Sequence, residues 1–252
     1  MSNAIKSIVK AAEIIDLLTL SENPLSLSEM SKELNIAKST LHGILGTLVH
    51  LEYVTQSDED GKYSLGMKLF EIGSTISMRW DARRIARPYM ESLAEKTGET
   101  IHLGVLRNGE VLYIDKKESS GSIRIVTETG LKLPAHCTGV GKVLLSGLDA
   151  VSLDSLIEKG KLEKYTDTTI TDMKHLKKEL GAVRKKGYAI DEQEFMVGLR
   201  CIATPIYDHA GEVTCAISIS GPLVRMSGDI LEKKKKQLLK AAESISYELG
   251  YR

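Results

Sequence analysis

Two glycines separated by one residue and followed at once by a lysine suggest a grip for an anion. They are Gly139-Val140-Gly141-Lys142, within AHCTGVGKVLLS at 135–146. A nucleotide-binding loop of this kind needs four residues between its glycines and a Ser or Thr after its lysine, whose hydroxyl holds the metal. Here only Val140 separates the glycines and Val143 follows Lys142, which excludes that loop. The apolar run after Lys142 continues as a helix, however. A helix that opens on glycines points backbone N–H groups and the positive end of its dipole outward. That chemistry suits one small carboxylate. A plain helix start capped by Thr138 accounts for the same residues, and the segment alone leaves both readings open.

Other polar side chains with chemical potential lie further along. Alternation over 213–220 predicts Thr214, Ala216, Ser218 and Ser220 on one face of a strand, against Val213, Cys215, Ile217 and Ile219. Two serines on the same face either meet solvent or line a polar pocket. Asp191 precedes the strand that carries Cys201 and has the chemistry to orient a hydroxyl or gem-diol group. Cys201 itself fits a small core residue better than a nucleophile. His136, Cys137, Cys201 and His209 are zinc-type ligands, but their spacing does not bring them together. The three cysteines, 137, 201 and 215, form no C-x-x-C pair and no disulfide framework, as in a reducing cytosol.

In the first 65 residues the periodicities describe a reading head for nucleic acid. Ile5, Ile8, Ala12, Ile15 and Leu18 form one helical stripe, and Asn23-Pro24 breaks it. LSEMSKEL gives a short helix burying Leu27, Met30 and Leu34. After the tight turn Asn35-Ile36-Ala37, a third helix from Lys38 to about Leu51 aligns Leu41, Ile44, Leu45, Leu48 and Val49. YVTQSDEDGKYSL then reads as a hairpin around Asp60-Gly61. Three helices and a hairpin in this order are a winged helix-turn-helix, whose second motif helix enters the major groove with its N-terminal residues at the base edges. Lys38, Ser39 and Thr40 open that helix, and His42, Gly43, Thr47 and His50 lie off its apolar stripe. Lys62, on the wing, is placed to meet the neighbouring phosphate backbone. Residues 1–68 nevertheless hold six lysines, no arginine and nine carboxylates, and the wing tip reads Ser57-Asp58-Glu59-Asp60. Arg79, Arg83, Arg84 and Arg87 offer supplementary positive charge; a protein-contact role for the module is the alternative.

The remaining elements form an α+β domain around an antiparallel sheet. A linker helix spans 66–79, with Met67, Phe70 and Ile76 apolar, and Pro88 predicts a kink or fresh start in the next helix. TIHLGVLRNGEVLYIDK is a hairpin turning at Asn108-Gly109, and SIRIVTE is a third strand. GKVLLSGL and DMKHLKKELGAVRKKG read as helices, LRCIATPIYD and EVTCAISISG as strands around His209-Ala210-Gly211. A final amphipathic helix carries Leu231, Leu238, Ile245 and Leu249, with Lys233 to Lys236 as its solvated face.

The totals agree. The chain has 252 residues, is 42% hydrophobic and 27% charged, and has no net charge, which neither favours nor excludes a polyanionic partner. No apolar run approaches the roughly 18 residues of a membrane span, and no secretory signal opens the chain. No membrane partner, cofactor or metal is expected, and the location expected is the cytoplasm.

From about Ile5 to the C-terminus the sequence resembles the IclR family of bacterial transcription regulators. Gly187, Asp191, Glu194, Cys201, Ile202, Ala203, Ile206, Tyr207 and Asp208 match the family signature with its spacing, LPAHCTGVGKVLLS matches the segment before its effector-domain helix, and KYSLG matches the end of its wing. The resemblance implies a winged helix-turn-helix (1–66), a linker helix (67–80) and a GAF-like effector domain (81–252), in dimers or dimers of dimers on operator DNA. It implies a small-molecule carboxylate effector, a 2-oxo or sugar-derived acid. The effector would be held by backbone amides at Gly139 and Val140, by Asp191, Cys201, Ser218 and Ser220, and by the backbone at Leu199. DNA contact would fall to Lys38, Ser39, Thr40, His42, Thr47 and Lys62. Family members commonly carry an arginine where this chain has Gly43, which implies a different operator or heavier reliance on the neighbouring residues. Within GAF-like domains the rival reading is a cysteine redox enzyme resembling methionine sulfoxide reductases.

Overall fold

In a computed structural model the protein is described over residues 4–79, 81–118, 128–158 and 162–252. The strand expected in SIRIVTE falls at 122–127 outside these residues, and the side chains of Ile76 and Arg79 likewise. The chain divides into two units, Met1–Arg79 and Trp80–Arg252.

In the first unit, α1 (Lys6–Leu20), α2 (Leu27–Glu33) and α3 (Lys38–His50) precede an antiparallel hairpin of β1 (Val54–Gln56) and β2 (Tyr63–Leu65), and α4 (Met67–Arg79) follows. Ser26 and Glu29 start α2 as a reciprocal capping box: the Glu29 N–H donates to Ser26 Oγ (3.3 Å), and the Ser26 N–H to Glu29 Oε2 (2.7 Å). Met30, Leu41, Leu45 and Leu48 join Ile14, Leu18, Val54 and Tyr63 in the core. The stripe of α1 differs from expectation. Ala11, Ile14, Ile15 and Leu18 pack inward, whereas Ile5, Ile8 and Ala12 are exposed. Apolar spacing in the first turns of α1 therefore does not report burial.

Among the described residues the second unit is built on a six-stranded antiparallel sheet of order β5-β4-β3-β8-β7-β6. Its elements are α5 (Asp81–Thr97), β3 (Thr100–Arg107), β4 (Glu110–Lys117), β5 (Lys132–Pro134), α6 (Gly139–Ser146), α7 (Ala150–Glu158), α8 (Met173–Lys186), β6 (Ala189–Glu192), β7 (Leu199–Tyr207), β8 (Val213–Pro222) and α9 (Gly228–Glu248). α5 and α9 cover one face, packing Met90, Leu93, Leu238 and Ile245 on Ile101, Leu103, Ile202, Ile217 and Ile219. α6 and α8 cover the other, with Val140, Val143, Leu176 and Leu180 on Val111, Ala203 and Ala216.

Three expectations are corrected. α5 makes no fresh start at Pro88, which lies inside one helix; the ladder bond that proline forgoes is offset by burial of Ala82, Ala86, Met90 and Leu93 along one face. The alternation on β8 holds from Cys215 onward but slips at Thr214. A bulge pairs Ile206 with Cys215 and Tyr207 with Val213, which turns Val213 to the Ala216 face. The lysine run is not a solvated face throughout. Lys234 falls in register with Leu231 and Leu238, and its Nζ donates to Glu99 Oε1 (2.7 Å) and to the Arg225 carbonyl (3.0 Å). Lys235 lies over the Tyr188 ring.

Candidate functional site

The start of α6 is shaped by its own packing. Ala135–Cys137 make a tight 3-10 turn, and Thr138 is extended. Its hydroxyl donates to the Pro134 carbonyl (3.1 Å) and accepts from the Gly141 N–H (3.2 Å). A Cβ on Gly141 would stand 2.2 Å from the Ala135 carbonyl oxygen, so the turn leaves no room for a side chain. The helix geometry then leaves the N–H groups of Gly139 and Val140 without an acceptor inside the helix. Lys142 turns away from them. It is fully buried, donates from Nζ to the Ile190 carbonyl (2.7 Å), forms an ion pair with Glu194, and lies 3.7 Å from Glu179. The lysine of the glycine motif therefore fastens β6 and the loop after it.

The sheet delivers the other polar groups to the same place. Register pairs Asp191 of β6 with Cys201 of β7, and Cys201 with Ser220 of β8, one rung across three strands. On the neighbouring rung Ser218 pairs with His102 of β3. Asp191 lies on a strand of its own, where the sequence suggested only that it leads into the next one. Beneath the N-terminus of α6 these side chains line a small, partly open cavity. All seven residues expected at an effector site, Gly139, Val140, Asp191, Leu199, Cys201, Ser218 and Ser220, line it. Phe195 and Met196 come from the loop after β6, whose carbonyls at Gln193 and Glu194 accept from the Thr166 hydroxyl (2.8 and 3.1 Å).

His102 and Tyr113 also line the cavity and were not anticipated. His102 Nδ1 is 3.3 Å from Ser220 Oγ, and the two rings are 5.0 Å apart. The signal is present in TIHLGV, where His102 and Gly104 alternate with Ile101, Leu103 and Val105. Strand neighbours are not written there, so its partner is not legible.

Burial sets the charges. It pushes Asp191 up to about 7, aided by the Glu194 carboxylate and opposed by the Glu194 N–H donated to Asp191 Oδ1 (2.7 Å) and by Lys142. Burial takes His102 down to about 3, so the imidazole is neutral. The thiols follow the same rule: Cys137 and Cys215 rise to about 12, and Cys201 rises well above its usual value. None is a thiolate at neutral pH, and Cys215 packs on the opposite face of the sheet from Ser218 and Ser220. That removes the chemical basis of the cysteine-enzyme reading. Among the described residues no three His, Cys, Asp or Glu side chains gather as a metal ion requires. His136 donates from Nε2 to the Glu163 carbonyl (3.0 Å).

In the first unit Lys38, Ser39, Thr40, His42, Gly43, Thr47 and His50 are all exposed on α3, and Lys62 is half-buried on the wing. Thr47 spends its hydroxyl on the Gly43 carbonyl (3.0 Å). Asp60 at the wing tip is held below the usual carboxylate range by its bond with Ser57, so the tip stays negative. Arg83 and Arg87 are paired with Asp115 (3.3 and 2.6 Å) and are not spare positive charge. No helix among the described residues is long and apolar enough to cross a membrane.

Known proteins carry the same two parts in the same order. Residues 7–58 match the IclR helix-turn-helix domain, and residues 75–247 match the family described as bacterial transcriptional regulator IclR, C-terminal. The chain belongs to the IclR family. Among curated relatives, the HTH-type transcriptional regulator XynR of Escherichia coli K12 is 36% identical over 247 residues, covering 98% of each chain. The regulator KdgR of the same organism is 36% identical over 249 residues, 99% of this chain and 94% of its own. Among solved structures, the Thermotoga maritima IclR protein aligns with a TM-score of 0.77 at 33% identity, covering 98% of this chain and all of its own. As an IclR-type protein the chain is a ligand-responsive, DNA-binding transcription regulator and not an enzyme.

Proposed function

We propose that this IclR-type regulator senses a small 2-oxo or sugar-derived carboxylate in the cavity under α6, and that the effector resets its affinity for operator DNA. The observation that carries this reading is the convergence of seven residues from four elements on one small cavity. The N–H groups of Gly139 and Val140 hold the carboxylate, with the helix dipole in support. Asp191, Cys201, Ser218, Ser220 and the backbone at Leu199 hold the oxo or hydroxyl end. In this scheme residues 1–66 read DNA through Lys38, Ser39, Thr40, His42, Thr47 and Lys62, residues 67–80 link, and residues 81–252 sense. The protein acts in the cytoplasm as a homodimer or dimer of dimers. Effector shifts the population between two arrangements of the paired reading heads only as far as it binds one better than the other.

The test is calorimetric titration and thermal shift of the full chain with glyoxylate, pyruvate, 2-oxobutyrate and 2-keto-3-deoxygluconate. A ligand bound only by the folded state raises its melting temperature with the logarithm of concentration over Kd. Ser218→Ala with Ser220→Ala is expected to weaken the best of these at least tenfold, about 1.4 kcal/mol, while DNA binding persists. An unchanged Kd in the double variant places the effector elsewhere.

A further inference from the structure

The cavity is built for an anion yet is poor in positive charge. Among the described residues its lining contains Asp191 and no lysine or arginine. The groups around Asp191 come from every element packed on it. The loop after β6 gives the Glu194 carboxylate, whose Oε2 is buried without a hydrogen-bond partner among the described residues. α6 gives Lys142, already paired with Glu194 and bonded to the Ile190 carbonyl. α8 gives Glu179, 3.7 Å from that same ammonium. The thiols of Cys201 and Cys137 and the Tyr113 hydroxyl remain protonated, because burial raises all three. His102 on β3 remains neutral, with the charge of Lys116 acting against its protonation. One ammonium thus serves two buried carboxylates and a third at the surface. An effector carboxylate at Gly139 and Val140 adds another negative charge to this enclosure.

We propose that the pocket takes its carboxylate together with one proton, held on Asp191, and for that reason admits monoanions and turns away dianions. The inference rests on the reading that this cavity is the effector site. Asp191 Oδ1 accepts from the Glu194 N–H (2.7 Å), and the Phe195 N–H and the Cys201 thiol also bond the carboxylate; in the proposed state the carboxyl carries its proton beside these contacts. The neutral carboxyl then donates to the effector where an ionised one would repel it. A dianion needs a second counter-charge, and the lining offers none. Free Asp191 gives up its proton near pH 7. Effector affinity is therefore flat below that pH and falls about tenfold per pH unit above it, one proton being drawn from solvent for each ligand bound.

Titration calorimetry of the full chain with pyruvate at pH 6.5, 7.5 and 8.5, in buffers of different ionisation heat, reads the proton directly. The expected result is uptake approaching one proton at pH 8.5, with a Kd about tenfold weaker than at pH 7.5. Asp191→Asn is expected to abolish both the uptake and the slope. Glu194→Gln removes the repelling neighbour and releases Lys142, so the onset of the slope moves to lower pH, a shift that mere loosening of the loop does not produce. Of the pair 2-oxoglutarate and its 5-methyl ester, alike in shape and one charge apart, the ester is expected to bind at least tenfold more tightly. Pyruvate bound with no proton uptake and an unchanged Kd at pH 8.5 overturns the proposal and leaves the effector site standing. No binding of glyoxylate, pyruvate, 2-oxobutyrate or 2-keto-3-deoxygluconate to the wild type or to Asp191→Asn overturns the effector reading and this proposal with it.

Discussion

Burial drives two titratable groups of the pocket, Asp191 and His102, in opposite directions, and the stability of the protein inherits both. The folded state keeps the Asp191 proton up to about pH 7, whereas the unfolded chain releases it near 4, so this group costs stability as pH rises between those values. His102 works the other way. The folded state refuses its proton down to about 3 while the unfolded chain takes it up near 6.5, so stability is lost as pH falls through that window. Between about pH 4 and 6.5 the two slopes cancel. His102→Gln removes one of them, and the variant is expected to gain on the wild type by about 1.4 kcal/mol per pH unit as pH falls below 6.5. Urea denaturation across that range measures it; parallel curves would mean that His102 is protonated in the folded protein.

At the scale of elements, two kinds of helical glycine behave oppositely. Gly141 is fixed by the close pass of Ala135, and Gly141→Ala is expected to push the 3-10 turn off α6 and to destabilise the protein by several kcal/mol. Gly43 and Gly46 on α3 have open space where a Cβ would stand, so nothing inside the protein requires them. Each is expected to add about 0.5–1 kcal/mol of stability when changed to Ala. Denaturant titration of the three variants checks both signs, and a loss at Gly43 or Gly46 would point to an intramolecular role. Loss of operator affinity in a more stable Gly43→Ala protein would place that bare stretch of helix against the bases, where this chain departs from the arginine common in its family.

The whole molecule joins an acidic reading head to a neutral chain, so its hold on DNA depends on few cations. Lys38→Ala with Thr40→Ala is expected to weaken binding to an operator selected from random duplexes. It should also lower the slope of log affinity against log salt by about 1, the loss of one phosphate contact. Effector affinity without DNA is expected to stay the same. An unchanged slope would remove Lys38 from the interface.

The sequence by itself determined the order of parts, the family and the residue types of the pocket. Helical and strand periodicities, the Asn108-Gly109 turn and the spacing of Gly187, Asp191, Glu194 and Cys201 are local properties of the chain. Only the tertiary structure decided which strands are neighbours, and with that what each polar residue does. Lys142, beside the glycines, looked like an anion grip and is instead consumed by Glu194, 52 residues away. Lys234 looked like a solvated charge and serves buried Glu99, 135 residues away. The alternation of TIHLGV gave His102 a face but no partner, until β3 paired with β8 and set it opposite Ser218. Whether a charge is free, neutral or already spent depends on burial and on partners distant in sequence. The period of a strand or helix fixes which way a side chain points, and the fold fixes what it meets there.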